Sequence, residues 1–507
     1  MNQKRVPVFL LLFGLLLTLP TLAQRGTVRG LVKAPTGEPI VGAGVTLKAT
    51  TRGTVTDASG RFTLADVPAN ATLTVSSVGY VSQDVPVGTQ TDLTITLAAD
   101  VRGLEEVVVV GYGTRRRVET TGAIASIKAE ELQITPNANV AQGLQARVAG
   151  VQITQNSAAP GGNVSVRVRG TNSINGTSEP LYVIDGIQFG NGGGTNEISP
   201  LSLINPNDIE SIEVLKDASA TAIYGARAAN GVVLITTRRG KAGKTVVSYD
   251  GYYGAQTISK RLDVLNASEF ATLENEIYKR AVYDNPASLG EGTDWQSLVY
   301  RTAPIQDHQL SITGGSEKTR LALTGGYFNQ QGVVNNTGFQ RYSLRLNLDH
   351  DVTDRLRVGT SLFGSVATSN GVNTAPTNSD NYGTVQAILG ATLAAPPTLK
   401  PYREDGSLWP FLDQNNGFYA EVVNPLGYLN EKRIDSRRRT LANLYAEYQL
   451  VPGLRYRASF NADLGNGLLD FYSPRSNLSQ SQLQGGGGSG SKTNSYNQLL
   501  LHESILT

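Results

Sequence analysis

From Tyr342 to Asp349 apolar and polar residues alternate without a break, Tyr342, Leu344, Leu346 and Leu348 standing against Ser343, Arg345, Asn347 and Asp349. The pattern returns between Leu454 and Leu464, with Tyr456, Ala458, Phe460 and Ala462 on one side and Arg455, Arg457, Ser459, Asn461 and Asp463 on the other. A period of two places successive side chains on opposite faces of a strand, so each segment has one apolar and one polar face. On this basis strands are expected near 245–257, 304–315, 319–330, 338–351, 355–369, 436–450, 454–465 and 492–503. Alternation alone suits a soluble sandwich and a membrane barrel equally. Connection length separates them: Ser316-Glu317-Lys318, Val352-Thr353-Asp354 and Val451-Pro452-Gly453 are short, whereas 258–303 and 370–435 are long. Short turns at one end and long loops at the other fit an outer-membrane barrel, whose spanning strands need about 9–11 residues.

Other textures precede these strands. Residues 26–99 read as short strands (27–32, 45–49, 53–56, 61–64, 72–75, 93–97) separated by turns such as Ala34-Pro35-Thr36-Gly37, the pattern of a small β-sandwich. Asp57, Ser59 and Gly60 hint at a calcium loop, but the later acidic ligands are missing, so a structural turn is expected. Between 118 and 240 short strands are expected at 164–170, at 181–186 ending in the Asp185-Gly186 turn, at 209–215 and at 232–237. The intervening run "DASATAIYGARAANGVVLITT" (217–237) is built of small residues; a helical turn over 218–224 and a turn at Asn230-Gly231 would let backbones approach closely. Arginines on strand 164–170 would face outward, toward something polar. In the long segment 258–303, Asn266 and Glu269 stand in capping-box spacing before Phe270, Leu273 and Ile277, predicting a helix on an external, ligand-facing surface.

At the N-terminus, Lys4 and Arg5 precede an apolar run over Val6–Leu19, and Thr21-Leu22-Ala23 supplies small residues for cleavage. This is an export signal over 1–23, too short to span a bilayer, which needs about 20 residues.

Composition narrows the chemistry. The 507 residues carry a formal charge of +2, which gives no global attraction to nucleic acid. With no cysteine, and with histidines scattered at 308, 350 and 502, neither thiol chemistry nor a metal site or other cofactor is expected. No spacing sets two carboxylates, or a nucleophile and a base, in catalytic array, so an enzyme is not expected. The tract Gly485–Gly490 has no following lysine and helix start, and reads as a flexible loop rather than a phosphate cradle.

"LEEVVVVGYGTRRR" (104–117) admits two readings. Four valines suit a buried strand. Their position between two domains, closed by glycines and arginines, suits a linker whose extended segment adds to another protein's sheet edge.

Three stretches carry a resemblance. "GEPIVGAGVTLKATTRGTVTDASGRFTLADV" resembles the carboxypeptidase-regulatory-like domain, which has no peptidase chemistry of its own. "VRVRGTNSINGTSEPLYVIDGI" and "SIEVLKDASATAIYGARAANGVVLITTRRG" resemble the plug of the SusC/RagA family of TonB-linked outer-membrane proteins. The order of export signal, sandwich, valine-rich segment and plug matches that family, and the likeness extends over essentially the whole chain. It implies a mainly β protein with a sandwich at 24–100, a linker at 101–117, an α/β plug at 118–240, and about eight strands of a transmembrane antiparallel barrel at 241–507. It implies a TonB box formed by Glu105, Glu106, Val107, Val108, Val109 and Val110, and plug motif residues Arg167, Arg169, Gly170, Asp185, Gly186, Tyr224, Gly225, Asn230 and Gly231. The implied activity is TonB-driven import of oligosaccharides or peptides through the outer membrane, with the N-terminal domain in the periplasm, with outer-membrane lipid around the barrel and a SusD-like lipoprotein as partner. Because receptors of this type close about 22 strands, the chain is expected to be a partial record or a truncation. A secreted carbohydrate-binding or adhesive β-protein is the alternative. A purely signalling receptor is disfavoured because Arg25 leads directly into the sandwich.

Overall fold

The computed structural model describes residues 25–48, 50, 52–68, 70–77, 80–88, 90–98, 107–110, 113–116, 124–132, 139–155, 158–174, 176–189, 200–372, 387–415, 418–420, 422–475 and 488–507. The export signal, Glu105 and Glu106 lie outside these residues. The chain forms two compact units, the first ending near Val107.

The first unit holds β1 (Arg25–Lys33), β2 (Gly44–Leu47), β3 (Gly53–Val55), β4 (Arg61–Pro68), β5 (Thr72–Ser76), β6 (Gln83–Pro86) and β7 (Asp92–Thr96). They make two sheets, β4-β1-β7 and β3-β2-β5-β6. Alternate residues such as Val32, Val45, Phe62, Leu73 and Ile95 fill one core between them. Strand β6 escapes the sequence pattern because Val85 is its one large apolar residue. The Asp57 carboxylate accepts the Ser59 and Arg61 N–H groups at 2.9 Å and the Ser59 hydroxyl at 2.8 Å, so its oxygen serves its own turn.

Next, β8 (Val107–Val110) pairs with β9 (Gly113–Arg116) in a separate two-stranded sheet.

The second unit continues with β10 (Ile124–Lys128), β11 (Val151–Gln155), β12 (Val164–Val168), β13 (Leu181–Ile184), β14 (Ile187–Phe189), β15 (Ile209–Leu215) and β16 (Val232–Thr237). Five of them form one sheet, ordered β10-β15-β16-β13-β14. Every residue of β13 is buried, because both faces of the sheet are covered. One face packs into the larger core with Val140, Leu144 and Val166. The other is covered by the small-residue run, whose Tyr224 and Ala228 lie on Leu215, Val232 and Leu234. That run is longer than its sequence suggested: a helix Ala218–Thr221 continues as 3-10 turns over Ala222–Ala228, broken at Gly225, where φ is 69°. Strands β10, β11 and β14 were not anticipated, being three to five residues long with mixed composition.

The last eight strands are β17 (Gly243–Gln256), β18 (Ala303–Gly315), β19 (Thr319–Gln331), β20 (Gly338–Asp351), β21 (Leu356–Asn370), β22 (Lys432–Val451), β23 (Leu454–Ser473) and β24 (Ser489–Leu506). Each pairs antiparallel with the next in an open sheet edged by β17 and β24. All eight expected strands are present. Strands β22 and β23 reach 20 residues each, longer than expected, because the hydrogen-bond ladder continues past Arg438 and Asn466, where the outward positions mix polar and apolar residues such as Ser436, Ile434, Leu468 and Asp470. Ser489 and Gly490, expected in a loop, instead open β24 opposite Ser473 and Tyr472; 485–487 lie outside the described residues.

The two faces of this sheet invert the rule for a water-soluble protein. Polar Arg345, Asn347, Asn461 and Asp463 are buried against the plug side, while outward Leu344, Leu444 and Phe460 are 59%, 54% and 46% exposed. On β23 the bare face is apolar from Leu454 to Leu464, and Asn466 ends it. That span of 11 residues fits the band of a barrel in a bilayer. Among the described residues no helix is long and apolar enough to cross a membrane.

At the long-loop end, segments 257–302, 387–415 and 422–431 share a core of their own around Trp295, Val299, Ile388, Leu399, Phe411 and Leu426. Trp295 Nε1 donates to the Pro396 carbonyl at 2.9 Å and its ring meets Phe411 edge-on at 5.3 Å. The expected helix is Ala267–Tyr278, closed by the Asn266–Glu269 capping box.

Candidate functional site

The plug meets the inner face of the sheet through side chains that the period-two pattern directs inward. On β20 these are Arg341, Arg345, Asn347 and Asp349. Opposite them the plug offers Asp185, in the two-residue turn between β13 and β14, and Asp208, just ahead of β15. Both turn residues, Asp185 (φ 49°) and Gly186 (φ 89°), lie in the left-handed region, the geometry that matches hairpin twist.

Asp185 accepts the Thr237 N–H at 3.0 Å and hydroxyl at 2.6 Å, and Arg345 Nη1 at 3.0 Å. Arg345 Nε lies 3.7 Å from Asp208, so one guanidinium serves two plug carboxylates, all three side chains being at most 3% exposed. Asp208 also accepts Gln309 Nε2 and the Thr324 hydroxyl, each at 2.8 Å, from β18 and β19. Burial pushes the Asp208 carboxyl up, against the opposing pull of Arg345. Asn347 donates to the Thr237 hydroxyl and the Arg238 carbonyl at 3.2 and 2.9 Å. Arg239 reaches Asp349 at 3.3 Å, and Asp349 also accepts the Tyr445 hydroxyl.

Two further barrel arginines clamp the plug differently. Arg341 donates to the Ser202 and Ile204 carbonyls at 2.8 and 2.9 Å. Arg439, held by Asp463 at 2.7 Å, lies 3.5 Å from the centre of the Phe189 ring. At one close approach of strand and plug the wall is glycine: a Cβ on Gly326 would stand 2.7 Å from Asn205 Nδ2. Among the described residues Arg345 Nη2 and Asn347 Oδ1 have no hydrogen-bond partner, so the contact is polar but not saturated. Beside it, a cavity of about 420 Å³ separates Gly186, Tyr224 and Arg239 from Arg457, Asn461 and Glu503.

The plug motif residues fall into two groups. Asp185 and Gly186 reach the barrel contact. The rest serve the plug itself: Arg169 pairs with Asp217 at 2.6 Å, Arg167 donates to Thr171 at 3.0 Å, and Asn230 donates to the Thr177 carbonyl at 2.8 Å. Gly170, Gly225 and Gly231 supply positive φ and Tyr224 is buried. Arg167 and Arg169 are exposed and bond within the plug, while the arginines that join plug and barrel are Arg341, Arg345 and Arg439 from the barrel. Sequence reading put Arg345 on a polar face and had no means to say what that face meets. Asp208 was missed outright, lying in a short 3-10 turn without periodicity. Of the proposed TonB box, Val107–Val110 form β8. Among the described residues no group of three or more His, Cys, Asp or Glu side chains is placed to hold a metal ion.

An α/β plug seated by charged contacts against the inner face of an apolar-outside antiparallel sheet defines the class of plugged outer-membrane barrels. Comparison with known proteins agrees. The family described as TonB-dependent Receptor Plug Domain matches residues 116–232, and the CarboxypepD_reg-like domain matches 26–109. The chain is 36% identical to TonB-dependent receptor SusC of Bacteroides thetaiotaomicron over 482 residues, covering 91% of the chain and 46% of that protein. It is 35% identical to TonB-dependent receptor P3 of Formosa agariphila, covering 93% of the chain and 45% of that protein. A solved structure of the RagAB peptide importer in its "open-open" state superposes with a TM-score of 0.61 at 26% identity, covering 78% of the chain and 45% of its counterpart. The chain thus belongs to the SusC/RagA family of TonB-dependent receptors, and it spans a little under half the length of the curated relatives it matches.

Proposed function

We propose that the protein works in the outer membrane as a TonB-dependent importer of oligosaccharides or peptides, reached through residues 1–23 as an export signal, with the sandwich in the periplasm. The observation that carries this reading is the inverted sheet: apolar residues bare on the outside, a charged inner face, and a plug fastened to it by Arg345. Both substrate classes stay in the proposal, since relatives include SusC and a peptide importer. A SusD-like lipoprotein over the loop end, where 257–302, 387–415 and 422–431 make a built surface, is part of the same proposal.

In this reading TonB pairs with Glu105–Val110. A pull on that segment reaches the plug through β10. Apolar interfaces resist such a pull because opening them wets hydrocarbon area. The contact between plug and β20 is mostly ion pairs and hydrogen bonds, whose partners water can replace as they separate. The cavity beside Gly186 and Arg457 marks the side on which plug and wall already stand apart. Deleting the gene and growing the strain on a panel of glycans and peptides as sole nutrient tests the assignment. Loss of growth on one class supports import; unchanged growth on all, with the protein recovered from the soluble periplasm or medium, would overturn it.

A further inference from the structure

The outward face of the sheet carries a groove of about 700 Å³ unconnected with the plug. One wall is aromatic. Tyr249 Oη meets His308 Nδ1 at 2.6 Å, and His308, Tyr327 and Tyr342 follow in adjacent positions of β18, β19 and β20, their ring centres 6.2 and 5.0 Å apart. Gln340 donates to both the Tyr327 and Tyr342 hydroxyls, tying the ridge to the polar zone at the loop end. Along the same hydrogen-bonding row, past Val366 on β21, comes Arg438 on β22. Its side chain is exposed, faces outward and has no hydrogen-bond or ion-pair partner among the described residues. Below it, toward the short turns, the groove is apolar, running between Leu344 and Thr440 over Gly364.

We infer that this groove holds a lipid of the loop-end leaflet, its acyl chain over Gly364 and an anionic phosphate headgroup on Arg438. The inference rests on the membrane reading of the sheet. Charge selects the occupant: a guanidinium left without a protein partner beside an apolar groove attracts an anion, and its planar fork matches phosphate oxygens. Height agrees with charge. On the outward face of β22, Arg438 is followed by Thr440 and then by the apolar Ala442 and Leu444, so a headgroup on Arg438 would lie above chains running down the groove. The other outward cation of β22, Lys432, is already paired with Asp470 at 2.7 Å and would take no part.

The groove offers a clean variant. A Cβ on Gly364 would meet nothing within 4 Å, so Gly364→Leu fills the space without disturbing the sheet. Arg438→Gln removes the charge, Arg438→Lys keeps it, and Lys432→Gln is the control. Each is placed in the native gene, the protein is purified from outer membranes in mild detergent, and retained lipid is measured as phosphate per polypeptide and by native mass spectrometry. Arg438→Gln and Gly364→Leu should each lower retained phospholipid or phosphorylated glycolipid several-fold, with Arg438→Lys and Lys432→Gln near wild type. Equal retention in all forms from protein that does reach the outer membrane would overturn the lipid site and leave the importer reading intact. So would a second copy of the protein cross-linked through Tyr342 with no lipid retained. Absence of the protein from outer membranes would overturn both.

Discussion

The Arg345 guanidinium lies 3.0 Å from the Asp185 carboxylate and joins barrel strand β20 to the first turn of the plug sheet. Removing one member of a buried pair leaves the other uncompensated, at a cost of about 3–5 kcal/mol. Arg345→Met would strand two carboxylates, Asp185 and Asp208. Faster amide exchange across 181–237 and greater protease sensitivity of the plug are expected. Asp185→Asn should be milder, because the amide oxygen still accepts the Thr237 N–H. If exchange in the Arg345→Met protein matches wild type, the network does not hold the plug.

Among the described residues strand β8 pairs with β9 and with no other sheet, so its one described partner is a four-residue strand. A longer free edge on TonB could displace it. Proline at position 108 removes a backbone donor from any ladder, so Val108→Pro should abolish uptake with a normal level of protein in the membrane. TonB binding unchanged in that variant would return Val107–Val110 to the role of an ordinary structural strand.

Acidity should affect the plug through Glu179. Burial raises its carboxyl above the ordinary 4.5, although the Ser165 and Tyr182 hydroxyls and the Val166 N–H donate to it. A carboxyl that holds its proton more tightly when folded contributes stability below its unfolded value and loses that contribution as pH rises through the folded one. Plug protection, followed by amide exchange, should therefore decline as pH rises through the range just above 4.5. Glu179→Gln should flatten that slope. A wild-type profile in the Gln variant would assign the pH effect elsewhere.

Most of this was legible where side-chain periodicity is long and uninterrupted. The alternation at 342–349 and 454–464 located β20 and β23, and connection length told barrel from sandwich. What periodicity could not supply is what covers each face. Arg345 and Arg357 both occupy inward positions of adjacent strands, yet one is buried in the plug contact and the other pairs with Asp351 at 2.5 Å in an exposed setting near the short turn. Only the folded plug distinguishes them. Short strands such as β14, three residues long, fall below any pattern and exist because β13 is beside them.

The sheet poses the last test, because its edges β17 and β24 are not paired with each other. In hydrocarbon each unsatisfied backbone group costs several kcal/mol, so an open sheet of this kind is unstable in a bilayer. Closing eight strands on themselves is no remedy: such a barrel has room for little more than its own side chains, whereas here the plug fills the inner face from Phe339 to Arg439. Residues 24–507 expressed alone should therefore give no heat-modifiable, protease-resistant species in bilayers and no substrate uptake. Adding strands that complete the ring, as in a full-length SusC/RagA receptor, should restore both. A closed, transporting barrel from residues 24–507 alone would refute this account of how the plug and the wall support each other.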